Sequence, residues 1–131
     1  MTSLATPVPP VFLRDPARGE LLAFPSAEAA AGHLRPWQEV GGVAAWDAEG
    51  RRIGFGVDRV RARILGIVPR WREVVVPSEV EGAPDHAAEL RAALVAALAA
   101  GGEPAQGTAL ALPELVRRAA RRCWRGPTAP P

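Results

Sequence analysis

Over the first eighty positions the large apolar residues fall in short clusters divided by turn-forming residues, and after that they recur at helical spacing. Val11-Phe12-Leu13 predicts a first strand. Arg14-Asp15-Pro16-Ala17-Arg18-Gly19 carries turn chemistry, and Glu20-Leu21-Leu22-Ala23-Phe24 returns as a second strand. Pro25-Ser26 then opens a helix whose first free N–H groups the Ser26 hydroxyl is placed to satisfy. Ala27, Ala30, Ala31 and Leu34 share one face of that helix, and Pro36 ends it.

Residues 43–57 read as a hairpin. Val43-Ala44-Ala45-Trp46 leads into the turn Asp47-Ala48-Glu49-Gly50, where Gly50 takes positive φ without a Cβ penalty. On the return, Ile53, Phe55 and Val57 alternate with Gly54, Gly56 and Asp58. A register with Trp46 opposite Arg51 puts the indole on the face of Ile53, and a slip of one residue puts it on the other face. Beyond Val57 the parity changes: Val60, Ala62 and Ile64 are even, and Arg59, Arg61 and Arg63 take the odd positions. A straight strand running through the core would bury three guanidiniums, so the pattern predicts a bulge or break near Asp58-Arg59. Gly66 to Arg70 reads as a turn and Trp71 to Pro77 as the last strand. A long helix is expected from about Asp85, its cap, to Ala100, with Leu90, Leu94 and Leu98 as its buried stripe and Gly101-Gly102 as its stop. A final helix starts near Pro113, lined inside by Leu112, Leu115, Val116, Ala119, Ala120 and Cys123.

The resulting order, β-β-α-β-β-β-α-α, predicts an α+β fold: a mostly antiparallel sheet of about five strands, one helix after the second strand and two C-terminal helices, with the helices covering one face. A single domain over residues 11–125 is expected between disordered Pro-rich tails at 1–10 and 126–131.

Composition narrows the chemistry. The chain has 131 residues and no Lys, Asn or Tyr, so all 16 of its basic residues are Arg. GC-rich codons, as in a high-GC bacterial genome, account for this without a functional preference for guanidinium. The single Cys123 allows neither an internal disulfide nor a multi-cysteine metal site. With no signal-peptide pattern and no membrane-length apolar run, a cytoplasmic location is expected. His33 and His86 are the only histidines, and neither lies in a metal-binding spacing. Ser3, Ser26 and Ser78 lie outside any nucleophile motif, and Gly54-Phe55-Gly56 and Gly41-Gly42 lack the rest of a phosphate-binding fingerprint. Glu73, Glu79, Glu81, Asp85 and Glu89 carry no pairing signature. No catalytic residue, cofactor or metal is therefore expected.

Charge is more informative. Residues 51–72 hold seven Arg and one acid (+6), whereas residues 73–103 hold six acids and one Arg (−5). Arg59, Arg61, Arg63, Arg70, Trp71 and Arg72 are the expected partner-binding residues, since tryptophan flanked by arginine is a hot-spot composition. Their bland alternative is a solvated sheet face. The final helix adds Arg117, Arg118, Arg121, Arg122 and Arg125 against Glu114.

Phe24-Pro25-Ser26-Ala27-Glu28 through His33-Leu34, Trp46-Asp47-Ala48-Glu49-Gly50-Arg51, and Asp85 to Leu98 together resemble small stand-alone proteins of high-GC actinobacteria. Some of those look like immunity proteins of polymorphic toxin systems. The similarity spans about residues 11–100 and implies a protein that acts by binding and blocking another. The expected function is thus non-catalytic binding of a protein partner, possible products of a neighbouring gene included, in the manner of an immunity-type inhibitor. The alternative is a nucleic-acid-associated or regulatory protein using the same arginines. A third reading is a small enzyme whose site depends on scattered residues such as His33, His86 and Glu89, and convergence of two of these in one pocket would favour it.

Overall fold

The computed structural model describes residues 6–15, 17–35, 43–64, 68–81, 84–102 and 110–126, with side chains at all of these except 60–64, 68–72, 79 and 84. Its elements are β1 (Val11–Arg14), β2 (Leu21–Phe24), α1 (Ala27–His33), β3 (Ala45–Trp46), β4 (Arg52–Ile64), β5 (Val68–Glu81), α2 (Pro84–Ala100) and α3 (Leu112–Cys123). The order is the α+β order expected. The strands form one sheet, β2-β1-β3-β4-β5, antiparallel at every step.

Helices cover both faces of the sheet, not one. On the first face Val11, Leu13, Leu22, Phe24, Ile53 and Phe55 pack under α1 through Ala27, Ala30 and Ala31. On the second, Phe12, Ala23 and Trp46 pack under Leu90, Leu94 and Leu98 of α2 and Leu115, Val116, Ala119 and Ala120 of α3. The predicted helix stripes are buried except at Leu112 and Cys123, which are half-buried; each fully buried large side chain contributes roughly 1.5–3 kcal/mol by leaving water. Two-sided burial explains why Val11, Phe12 and Leu13 are consecutive and all fully buried. A strand with one wet face would alternate.

Local signals set the helix ends. Ser26 Oγ accepts from Ala29 N at 3.1 Å. Gly102 takes φ +94° at the end of α2, its amide donating to Ala99 O. The stop at Pro36, like Trp37 and Gly41-Gly42, lies outside the described residues; α1 already ends at His33, capped by Leu34.

The last hairpin departs from expectation in three ways. β5 begins at Val68 and runs to Glu81, so the turn is shorter than residues 66–70 and the strand longer than 71–77. Arg52, not Arg51, pairs with Trp46, which places the indole on the α2 face, opposite Ile53. Finally, the register is unbroken from Phe55↔Pro77 to Ile64↔Val68, so there is no bulge at Asp58-Arg59. The irregularity lies between Gly54 and Phe55, where Gly54 faces Glu79 and Phe55 faces Pro77, leaving Ser78 as the extra residue of β5. That bulge lets Val75 and Val80, of opposite parity, pack against the same cluster. β4 needs no bulge because it leaves the core: Val57 is 44% exposed, and Asp58 and Arg59 are exposed beside it.

The turn between β3 and β4 is organised by a fully buried carboxylate. Asp47 Oδ1 accepts from the amides of Glu49 (3.0 Å) and Arg51 (2.9 Å). Its Oδ2 accepts from Val8 N (3.1 Å) and Arg51 Nε (2.8 Å), with Arg51 Nη2 at 2.7 Å. Arg51 also donates to Thr6 O, and Ala48 N to Val8 O. The segment read as part of a loose tail is therefore anchored from Thr6 onward.

Gly50 closes this turn at φ +85°, and a Cβ placed there would lie 2.7 Å from Ala87 Cα of α2. Gly102 has a similar φ, but among the described residues nothing lies within 4 Å of a Cβ placed there. Gly102→Ala should therefore lose only the backbone term, about 1 kcal/mol. Gly50→Ala should lose that plus the displacement of α2, about 3 kcal/mol or more in all. Urea unfolding of the two variants measures the difference; equal losses would show that the turn does not bear on α2.

Candidate functional site

The six residues singled out by charge lie in one stretch of the β4–β5 ribbon. Cα partners are Arg59↔Glu73, Val60↔Arg72, Arg61↔Trp71, Ala62↔Arg70 and Arg63↔Pro69. Arg59 is exposed, with its amide donating to Asp58 Oδ1 at 2.9 Å. The side chains of Arg61, Arg63, Arg70, Trp71 and Arg72 lie outside the described ones. The strand pairing explains the placement. β3 meets β4 only at Trp46↔Arg52, so from Ile53 onward β5 is the sole strand partner of β4 among the described residues. Residues 59–72 contain five Arg and no acid, a surplus of +5 at the far end of the ribbon.

β5 is the last strand of the sheet, yet its outer edge is a poor template for strand addition. Pro69 and Pro77 share parity within one unbroken register, so both missing N–H donors fall on the same edge. With the inner edge paired to β4, that edge is the outer one. Recognition here must use side chains more than backbone.

At the base of the ribbon the opposed charges meet. The Arg52 guanidinium lies 5.4 Å from the centre of the Trp46 ring, within cation–π reach, and pairs with Glu89 at 3.1 Å. Glu81 sits opposite Arg52 across the strands. His86 Nε2 is 3.7 Å from Glu81 and its Nδ1 3.8 Å from Glu89. The acidic segment is thus partly neutralised by the base of the same hairpin.

Of the three residues of the enzyme reading, two come together and one does not. His86 and Glu89 are neighbours on α2, but His33 ends α1 on the other face of the sheet, where its Nε2 lies 3.7 Å from Asp15 Oδ2. None of the three histidine–carboxylate approaches is short enough for a direct hydrogen bond. Among the described residues no group of three or more His, Cys, Asp or Glu is placed to hold a metal ion, and no helix is long and apolar enough to cross a membrane. Cys123 is half-buried rather than fully inside. Burial pushes its thiol above the ordinary value, against a smaller opposing effect of Arg122 and Arg125, the reverse of an activated nucleophile.

Sequence reasoning missed one feature. A groove of about 480 Å³ runs between β2, the C-terminal half of α2 and the end of α3, bordered by Arg14, Arg18, Arg122 and Arg125. These arginines come from two stretches of the chain about a hundred residues apart, so no local pattern announces their meeting. The chain matches no family model, no curated protein and no solved structure.

The Asp15 pair has a pH consequence. The Ala17 amide, at 2.9 Å from Oδ1, is the main influence holding the Asp15 carboxyl below the ordinary aspartate range; burial opposes it and His33 assists it. A depressed folded-state pKa contributes stability above the unfolded value, about 3.9, that is lost as pH falls through the folded one. Asp15→Asn should therefore be less stable than the parent near neutrality, with the gap narrowing from about pH 5 towards pH 2. Urea midpoints measured across that range test this, and a constant gap would contradict it.

Proposed function

We propose that this is a non-catalytic intracellular binding protein that engages a protein partner through the basic end of the β4–β5 ribbon. The observation that carries the reading is the strand pairing. β4 loses its inner neighbour after Arg52, its side chains are already exposed at Val57 to Arg59, and every charge from position 59 to 72 is positive. Residues 59–64 alone give a cationic strip roughly 20 Å long at the usual strand rise.

Glu81, Asp85 and Glu89 lie at the other end of the hairpin and on the start of α2, while Glu73 sits across the strands from Arg59. A surface with both signs in a fixed order suits a protein with the complementary order better than a uniform polyanion following the ribbon. An immunity-type inhibitor, which blocks a toxin by covering it, is the specific form this reading takes, supported by the resemblance of the helix opening and the Asp47–Arg51 turn.

The test is titration calorimetry of the protein against the product of the adjacent gene. A complex is expected at low salt, about 50 mM, that weakens as salt screens the charges. Arg61→Glu with Arg63→Glu should weaken it at least about tenfold while leaving the fold intact. No complex at low salt would refute the proposal. A salt-dependent shift of DNA or RNA, lost in the same double variant, would assign the ribbon to nucleic acid instead.

A further inference from the structure

From the groove beside β2 we infer a second binding site, for a small organic anion with a phosphate or carboxylate head and a short apolar body. The inference is independent of the ribbon, because β2 and β5 are opposite ends of the sheet. Its first support is convergence of charge. Arg14 ends β1, Arg18 lies in the β1–β2 turn, Arg122 belongs to the last turn of α3, and Arg125 follows α3. Glu20 is the one acid among the lining residues, leaving four guanidiniums against one carboxylate. Among the described residues Arg51 is matched with Asp47, Arg52 with Glu89, and Arg117 and Arg118 with Glu114. Arg14, Arg18 and Arg125 have no side-chain hydrogen bond or ion pair among the described residues.

The second support is how the arginines are held. Arg125 N donates to Ala23 O at 2.8 Å, and Trp124 forms a parallel bridge with Ala23, so the segment after α3 is strapped to the edge of β2. That strap fixes the backbone of Arg125 beside the β1–β2 turn that carries Arg18. The turn is itself fixed, by Asp15 Oδ1 accepting from Ala17 N and by Gly19 N donating to Asp15 O at 2.7 Å. Arg122 lies flat against Gly101, its Cζ within 2.6 Å of where a Cβ would stand. This sets it at the C-terminal, electronegative end of α2, which has no basic residue in its own last turn. Guanidiniums on constrained backbones lose less freedom on binding and suit the forked geometry of phosphate and carboxylate.

The third support is the floor. Leu21, Leu22, Ala93, Ala96, Ala97 and Ala100 form a shallow apolar surface between the arginines. The small alanines of α2 leave the space that a larger side chain would fill. An inorganic anion would meet the charges but leave this floor wet, whereas an anion with a short hydrocarbon body covers both.

Cys123, the only cysteine, lines the same groove and reports its occupancy. The experiment titrates hexyl phosphate into the full chain by calorimetry, with inorganic phosphate and hexanol as controls, and follows alkylation of Cys123 by N-ethylmaleimide in parallel. Hexyl phosphate should bind and slow the alkylation several-fold, and each control should do neither. Arg18→Glu with Arg125→Glu, both exposed positions, should reduce affinity at least about tenfold. Ala96→Trp, exposed on the groove wall, should reduce it while keeping every charge. Circular dichroism confirms that each variant is folded, and both leave the ribbon unaltered, so loss here is separable from loss of partner binding. Absence of hexyl phosphate binding, equal binding of inorganic phosphate, or affinity unchanged in the charge-reversed variant would each overturn the proposal.

Discussion

The buried carboxylate of Asp47 is the constraint on which the rest of this structure depends. β3 is only two residues long and holds β4 by one residue pair, Trp46↔Arg52. So short a ladder does not set the direction of a thirteen-residue strand by itself. The turn does so, because Asp47 ties three separate pieces to one point: the Glu49 and Arg51 amides of its own turn, the Arg51 guanidinium, and Val8 of the N-terminal segment. Gly50 then brings the turn against Ala87 at the start of α2. An ionised group taken fully out of water is tolerated only when every lone pair is used and the counter-charge is at hand, and both conditions hold here. The same interaction therefore fixes where the ribbon leaves the sheet and where α2 begins.

Much of this was legible in the chain, and the errors have identifiable physical origins. The turn chemistry of Asp47 to Gly50, the Ser26 cap and the leucine stripe of α2 are local signals and appear where they were expected. The slip of Trp46 from Arg51 to Arg52 is not local. Arg51 joins the turn because Asp47 holds both its amide and its side chain, so the turn is one residue longer than its glycine suggests and the indole faces α2. Two-sided burial had a signal that went unused: Val11-Phe12-Leu13 and Leu21-Leu22-Ala23-Phe24 are continuous apolar runs, whereas Ile53, Phe55 and Val57 alternate with Gly and Asp. The difference between those patterns is the difference between the covered centre of the sheet and the ribbon.

The parity change after Val57 was real, and its cause lay elsewhere. The register carries no bulge there; Val57, Asp58 and Arg59 are exposed where β4 leaves the core. The bulge that does exist, at Ser78, serves Val75 and Val80 of the neighbouring strand. The candidate sites divide in the same way. The ribbon arginines are near one another in sequence, and a hairpin keeps them together. The groove arginines at 14, 18, 122 and 125 are joined only by the return of the chain to β2 after α3, which composition cannot reveal.

A sheet with two ends must also avoid joining other sheets, and the two edges here do so differently. The outer edge of β5 lacks donors at Pro69 and Pro77, while the edge of β2 is occupied in part by Trp124 and Arg125. Charge reinforces both devices, because the acids nearest the body of the protein are engaged by Arg51, Arg52, Arg117 and Arg118, leaving the surplus arginines at the edges. Like-charged, donor-poor edges repel a second copy of the same chain. They remain attractive to a ligand of opposite charge that needs no strand pairing. On the proposed reading, protection against self-pairing and attraction for an anionic partner draw on the same arginines, at two edges built by unrelated parts of the sequence.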